Sequence, residues 1–222
     1  AWQRQLVRPM TLVRDPATLD LISIRQEFNT HGYARLGVWA DESTLQGLRE
    51  RLTQIQRGEL DHTPYFFQKD SPSGRYETLS YGKGWEGPSD DYRKIEKLER
   101  DDRFLAWLRN PLFETIARNF IGEQVFLYRA LVFAKSERGG TFLPWHQDGG
   151  AFWGLNKEPF LQIWTALDDA SENAGCLEVF EGSHLGGLAS PDGGVVQDHL
   201  VQAMEATTPI KQLPAKAGEV IL

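Results

Sequence analysis

Along the first half of the chain apolar positions recur mainly at helical spacing, and from about residue 124 onward they alternate as strands do. Asp15-Pro16 pairs an N-capping side chain with a proline at the first helical position, and Leu19, Ile22 and Phe28 follow as an apolar stripe toward His31-Gly32. Gly32 reads as the helix stop, and residues 33–38 as a short strand. Asp41 caps a second helix with Leu45, Leu48, Leu52 and Ile55 on one face, closed by Gly58. Between residues 59 and 91 the periodicity is lost, with Tyr65-Phe66-Phe67-Gln68 and Tyr81-Gly82-Lys83-Gly84-Trp85 set among Gly, Pro and Ser. Long irregular segments in compact domains are commonly binding loops or lids, so this one is either part of a substrate wall or a passive surface loop. The charged stretch 92–99 contains Lys94, and two helices follow at 101–109 and 111–120, the second with Asn110 as cap and Pro111 at its start.

In residues 124–135 Val125, Leu127, Arg129, Leu131, Phe133 and Lys135 share one face, while Phe126, Tyr128, Ala130, Val132 and Ala134 share the other. Both faces are largely apolar, which predicts a strand packed on both sides. Further strand signals occupy 160–167, ended by Asp168-Asp169, then a turn and strand over 172–180, and finally the apolar run 217–222. The Gly-rich segment 185–209 reads as an inserted loop containing a short helix. Moderate strands with Gly and Pro turns, preceded by helices, predict a mainly β, jelly-roll core with a helical flank packed outside the sheet. The expectation is one domain over residues 1–222, with 59–91 and 185–209 as loops around the mouth of the barrel.

Composition narrows the function. The 222 residues carry a net charge of −7, which argues against nucleic acid or an anionic membrane as the main partner. Cys176 is the only cysteine, so an internal disulfide is impossible and a buried, inert thiol in a reducing compartment fits. No run has the length of a transmembrane helix and the first residues lack the order of a secretory signal, so the reading is a cytoplasmic protein with no obligate protein partner evident.

The chemistry gathers at Leu143-Pro144-Trp145-His146-Gln147-Asp148-Gly149-Gly150. In an extended segment His146 and Asp148 project from one face, and an imidazole with a carboxylate forms two of the three ligands of a facial triad that holds non-haem Fe(II). Taken alone, the pair also fits a hydrogen-bonded loop. Downstream come Trp164-Thr165-Ala166-Leu167-Asp168-Asp169, Glu172-Asn173-Ala174-Gly175-Cys176-Leu177 and Glu181-Gly182-Ser183-His184. Together these motifs resemble the phytanoyl-CoA dioxygenase family of Fe(II)/2-oxoglutarate-dependent oxygenases, with the likeness running from about Phe28 to Leu222.

That resemblance implies a double-stranded β-helix of cupin-like type, with His146 and Asp148 as iron ligands. The family's third ligand, a His, and an Arg for the co-substrate carboxylate would fall beyond Leu222. It implies 2-oxoglutarate contacts at Gln147, Trp164, Leu131 (where the family often has Met) and Lys94, which has Arg93 and Lys97 as rivals. Gln147 has the opposite parity to the ligands and would need a bend at the glycines to take part. Phe152 and Trp153 are candidates to face substrate, and an apolar core role fits them equally. His184 is assigned packing and hydrogen bonding, not ligation. The implied reaction consumes O2 and 2-oxoglutarate and yields succinate and CO2; hydroxylation is favoured over halogenation because halogenating members have lost the carboxylate that Asp148 supplies. The rival readings are a non-catalytic jelly-roll binding or regulatory protein and a cupin-type metal hydrolase or isomerase.

Overall fold

The computed structural model of the chain describes residues 10–81, 84–135, 140–154 and 161–222. Its elements in order are α1 (Leu21–His31), β1 (Arg35–Val38), α2 (Glu42–Arg57), β2 (Phe66–Lys69), β3 (Tyr92–Glu96), α3 (Asp102–Leu108), α4 (Pro111–Ile121), β4 (Leu131–Phe133), β5 (His146–Gln147), β6 (Trp164–Thr165), β7 (Leu177–Phe180), β8 (Gly194–Val195), α5 (Asp198–Glu205), β9 (Ile210–Leu213) and β10 (Glu219–Ile221). All named strand pairs are antiparallel. The chain divides into two compact units, one of residues 1–10, 46–110 and 126–143, the other of 11–45, 111–125 and 144–222. Among the described residues no helix is long and apolar enough to cross a membrane.

The second unit is built on β10. This strand lies between β1 and β6, with Ile221 opposite both Arg35 and Trp164. Because side chains alternate along a strand, Val220 and Leu222 enter one cluster with Ile24, Ala34, Leu36, Trp39, Leu112, Ile116 and Phe120. Ile221 enters another with Tyr33, Ala166, Leu213 and Ala215. Helices α1 and α4 therefore cover one face of the sheet, joined by an edge-on contact of Phe28 and Phe120 at 4.9 Å. Glu219 is buried within this sheet, and its carboxylate accepts from Arg35 Nε at 2.8 Å and from the Lys216 amide at 3.1 Å. Burial without those partners would be costly. The Asp168-Asp169 turn is closed by Asp169, which accepts from Lys216 Nζ at 2.8 Å and the Ala217 amide at 2.9 Å; those bonds hold its pKa below the usual carboxylate value.

The helix expected to run from Asp15 is interrupted. Asp15 caps only a short 3₁₀ turn, Pro16–Thr18, and α1 starts again after Asp20, whose carboxylate accepts from the Ser23 amide at 3.0 Å and the Ser23 hydroxyl at 2.7 Å. Two competing caps five residues apart, Asp15 and Asp20, broke the reading, and Ile22, assigned to the expected stripe, is 74% exposed. The expected stop holds: Gly32 is left-handed at φ 85° and its amide donates to the Phe28 carbonyl at 2.8 Å. A Cβ there would lie 2.6 Å from His184 Nδ1. Asp41 also caps α2 as expected, accepting from the Thr44 amide at 2.8 Å.

In the first unit β2, β3 and β4 form one sheet with Phe67, Tyr92 and Ile95 buried. Asp101 caps α3, accepting from the Arg103 and Phe104 amides at 2.9 and 3.0 Å. Two expectations change here. The irregular stretch 59–91 contains β2, paired along β3, although Gly82 and Lys83 lie outside the described residues. The long strand expected over 124–135 contracts to β4, and Phe126 is 90% exposed. Alternation reports which faces are apolar, but a strand also needs a ladder, and among the described residues only Leu131, Val132 and Phe133 find one, opposite Glu96, Ile95 and Lys94. The strand signal at 160–167 similarly narrows to β6, with Phe160 outside the described residues.

The double demand on Gly32 yields a test. Gly32→Ala should destabilise the protein by roughly 1–3 kcal/mol in denaturant titration, and His184→Ala in the same background should restore only the steric part, leaving the cost of the left-handed backbone.

Candidate metal centre

Strand β5 has only two ladder pairs, His146 with Val195 and Gln147 with Gly194. Its place is set by the backbone around it. The Val196 amide donates to the Trp145 carbonyl at 2.8 Å, the Ala151 amide to Pro191 at 3.0 Å and the Phe152 amide to Asp192 at 3.2 Å. Gly150 (φ 82°) and Gly193 (φ 70°) make this crossing possible: a Cβ on Gly150 would lie 2.6 Å from the Pro191 carbonyl oxygen, and one on Gly193 would run into the Gly149 carbonyl. Trp145, on the side away from the candidate ligands, packs its ring 4.3 Å from that of Phe180.

Within this frame His146 Nε2 and Asp148 Oδ1 face each other at 4.0 Å. The other ring nitrogen of His146 lies 2.8 Å from the Pro144 carbonyl oxygen, so the hydrogen-bond partner assigns the proton to Nδ1 and leaves the lone pair on Nε2. The other carboxylate oxygen, Oδ2, accepts from Gln162 Nε2 at 2.8 Å. Each side chain therefore has one polar atom engaged outside the centre and one turned toward its neighbour. Two donors bound side by side to one first-row divalent ion, each at about 2.0–2.2 Å, lie about 3 Å apart, so this pair would close by about 1 Å on taking up a metal. The donor set, one neutral imidazole and one carboxylate, suits Fe(II). Among the described residues no group of three His, Cys, Asp or Glu side chains is arranged to hold a metal.

Gln147 turns the other way, as its parity predicts. Its Oε1 accepts from the Ala189 amide at 2.6 Å and its Nε2 donates to the Gly187 carbonyl at 3.1 Å, so the carboxamide straps the glycine-rich segment to β5. It borders a cleft of about 130 Å³ with Ser190, Val195 and Leu200. This role was not read from the sequence, although the opposite parity and the run of glycines near 186–194 were its signal. Gln162 was missed as well. Its trace in the sequence is a lone carboxamide in the apolar run that leads into Trp164.

The remaining candidates are distributed. Trp164 sits in β6 opposite Ile221 and packs against the cluster of Tyr33, Ala166, Leu213 and Ala215. Burial, reinforced by the bond from its hydroxyl to Glu181 Oε1 at 3.0 Å, raises the pKa of Tyr33 above the usual phenol value. Leu131 and Lys94 belong to the first unit, in neighbouring strands; Lys94 Nζ pairs with Glu96 Oε1 at 2.8 Å, and Leu131 lies opposite Glu96 in the ladder. Phe152 is 73% exposed beside a half-buried Trp153, their rings 5.9 Å apart and nearly perpendicular. His184 Nε2 lies 3.0 Å from the Asn29 carbonyl oxygen, in the packing and bonding role expected of it.

A family model described as "Phytanoyl-CoA dioxygenase (PhyH)" matches residues 28–222. A probable alpha-ketoglutarate-dependent hypophosphite dioxygenase of Stutzerimonas stutzeri is 26% identical over 166 residues, covering 73% of this chain and 53% of the relative. An L-proline trans-4-hydroxylase of Streptomyces griseoviridis is 34% identical over 85 residues, 36% of this chain and 31% of the relative. The chain thus spans about half the length, or less, of these curated relatives. Among solved structures, EctD from S. alaskensis, determined with 2-oxoglutarate and 5-hydroxyectoine, superposes with a TM-score of 0.64 at 18% identity over 96% of this chain and 73% of that one. At that identity the likeness speaks for the fold, an antiparallel jelly-roll architecture.

The glycine crossing can be tested directly. Gly193→Ala should release the 187–195 segment from β5, read as faster amide exchange of Val196 and Ala151, whereas Gly186→Ala, where a Cβ meets nothing within 4 Å, should leave both amides protected.

Proposed function

The chain belongs to the phytanoyl-CoA dioxygenase family, and on that premise we propose that it is an Fe(II)- and 2-oxoglutarate-dependent dioxygenase that hydroxylates an unactivated C–H bond of a small molecule, releasing succinate and CO2. In this reading the jelly roll is a double-stranded β-helix. The observation that carries the site is the pair of facing atoms, His146 Nε2 and Asp148 Oδ1 at 4.0 Å, each left available by a bond made on its far side.

Each residue then has a defined task. His146 offers Nε2 to the metal while the Pro144 carbonyl fixes its tautomer and ring plane. Asp148 offers Oδ1 and supplies the carboxylate charge, which keeps its coordination position from a halide and favours hydroxylation. Trp164 and Gln147 are assigned to 2-oxoglutarate. Phe152 and Trp153 are assigned to the substrate at the mouth. When bound, Fe(II) with 2-oxoglutarate supplies the oxidation of the C–H bond by O2, a chemistry that no side chain provides. The protein's share is geometry and the exclusion of water, and no side chain is needed as a general base.

The test uses protein expressed from the full reading frame under oxygen with Fe(II) and 2-oxoglutarate. Succinate should form, and His146→Ala and Asp148→Ala should each reduce it at least 100-fold while lowering Fe(II) affinity, an effect at or beyond the upper end of what outer-sphere changes cause. Wild-type protein that neither binds Fe(II) nor forms succinate would sink the proposal.

A further inference from the structure

Two residues upstream of Trp164, Gln162 reaches the candidate metal centre from a part of the chain otherwise occupied with packing. We propose that Gln162 is a positioning residue that orients the Asp148 carboxylate so that one oxygen only is presented to the metal. The inference rests on the reading of His146 and Asp148 as ligands and extends it to a residue that the family likeness did not bring forward.

The geometry carries the argument. Gln162 Nε2 donates to Asp148 Oδ2 at 2.8 Å. An amide nitrogen donates only, and turning the carboxamide over would set its oxygen against a carboxylate oxygen, so the bond fixes both groups. With Oδ2 engaged, Oδ1 is the oxygen left 4.0 Å from His146 Nε2. The Pro144 carbonyl does the equivalent for His146 on its Nδ1. Both ligands are thus aligned by outer partners, one a main-chain acceptor and the other a neutral side-chain donor.

A neutral donor matters here. Lysine or arginine at the same place would pair with the carboxylate and compete with the metal for its charge, whereas a carboxamide orients it and leaves most of that charge available. Monodentate presentation also leaves a coordination position that a chelating carboxylate would occupy. The placement of Gln162 is secured close by, because Trp164 and Thr165 pair with Ile221 and Val220 of the central strand β10. Side-chain support of this kind is commonly worth about 10–100-fold in metal affinity.

The experiment compares wild type, Gln162→Met, Gln162→Leu and His146→Ala, each expressed from the full reading frame. Affinity for Co(II) is measured by titration, and the visible absorption of bound Co(II) reports its coordination. Melting of the metal-free proteins shows whether each variant is folded; Gln162 is exposed, so both replacements should match wild type, and the isosteric methionine guards against a packing defect in the leucine variant. The expected result is Co(II) affinity 10–100-fold weaker in both Gln162 variants, an altered absorption band at saturation, and no binding in His146→Ala. Wild-type affinity and an unchanged band in the Gln162 variants, beside a dead His146→Ala, overturn the proposal and leave the metal site standing. Failure of wild type to bind Co(II) removes the site itself and this proposal with it.

Discussion

The candidate centre depends on a place where two stretches of backbone come closer than side chains permit. Strand β5 has just two ladder pairs, too few to hold a candidate ligand in a fixed direction. What compensates is the crossing of residues 149–150 with 191–193, where amides of Ala151 and Phe152 reach the carbonyls of Pro191 and Asp192. That approach requires Gly150 and Gly193, since a Cβ on either would meet opposing backbone, which cannot move aside as a flexible side chain can. The glycines after the His-x-Asp motif are therefore part of the site's construction. Their exposed counterpart Gly186 meets no such neighbour.

Further out, β10 gives the second unit its order. Its alternating side chains enter two separate clusters, one under α1 and α4 and the other around Tyr33 and Leu213, so a one-residue slip would exchange their environments. The same slip would expose the buried carboxylate of Glu219 or strip it of Arg35. A buried charge of this kind adds little net stability but opposes wrong registers strongly. Register in β10 is inherited by β6, and through it by Trp164 and by Gln162 just upstream.

What was legible in the sequence was local. His146 and Asp148 could be placed on one side because a period of two acts over three residues, and Gly32 and Asp41 could be read as stop and cap because each acts within one helical turn. The strand over 124–135 failed for the opposite reason: its apolar alternation was real, but strand formation depends on a partner far away in the chain, and only Leu131, Val132 and Phe133 have one in β3. Strand β2 was hidden in an irregular stretch because its partner Tyr92–Glu96 lies more than twenty residues on. The strap from Gln147 to Gly187 and Ala189, and the bond from Gln162 to Asp148, span forty-two and fourteen residues at most and leave no periodic trace.

Gln147 presents an apparent conflict, since the resemblance assigned it to 2-oxoglutarate while its carboxamide is occupied by the 187–189 backbone. Counting donors and acceptors resolves it. A carboxamide carries two N–H groups and an oxygen able to accept twice, and the strap uses one of each. One proton and one lone pair remain, so the same side chain can hold the glycine-rich segment and still donate to a co-substrate oxygen, provided the ligand approaches from the side that the strap leaves open. Losing the strap would also disturb His146, because Gln147, Gly194 and Val195 share the two-pair ladder that holds it. In so short a strand the residue beside the candidate ligand acts on that side chain's direction as much as on anything it touches itself.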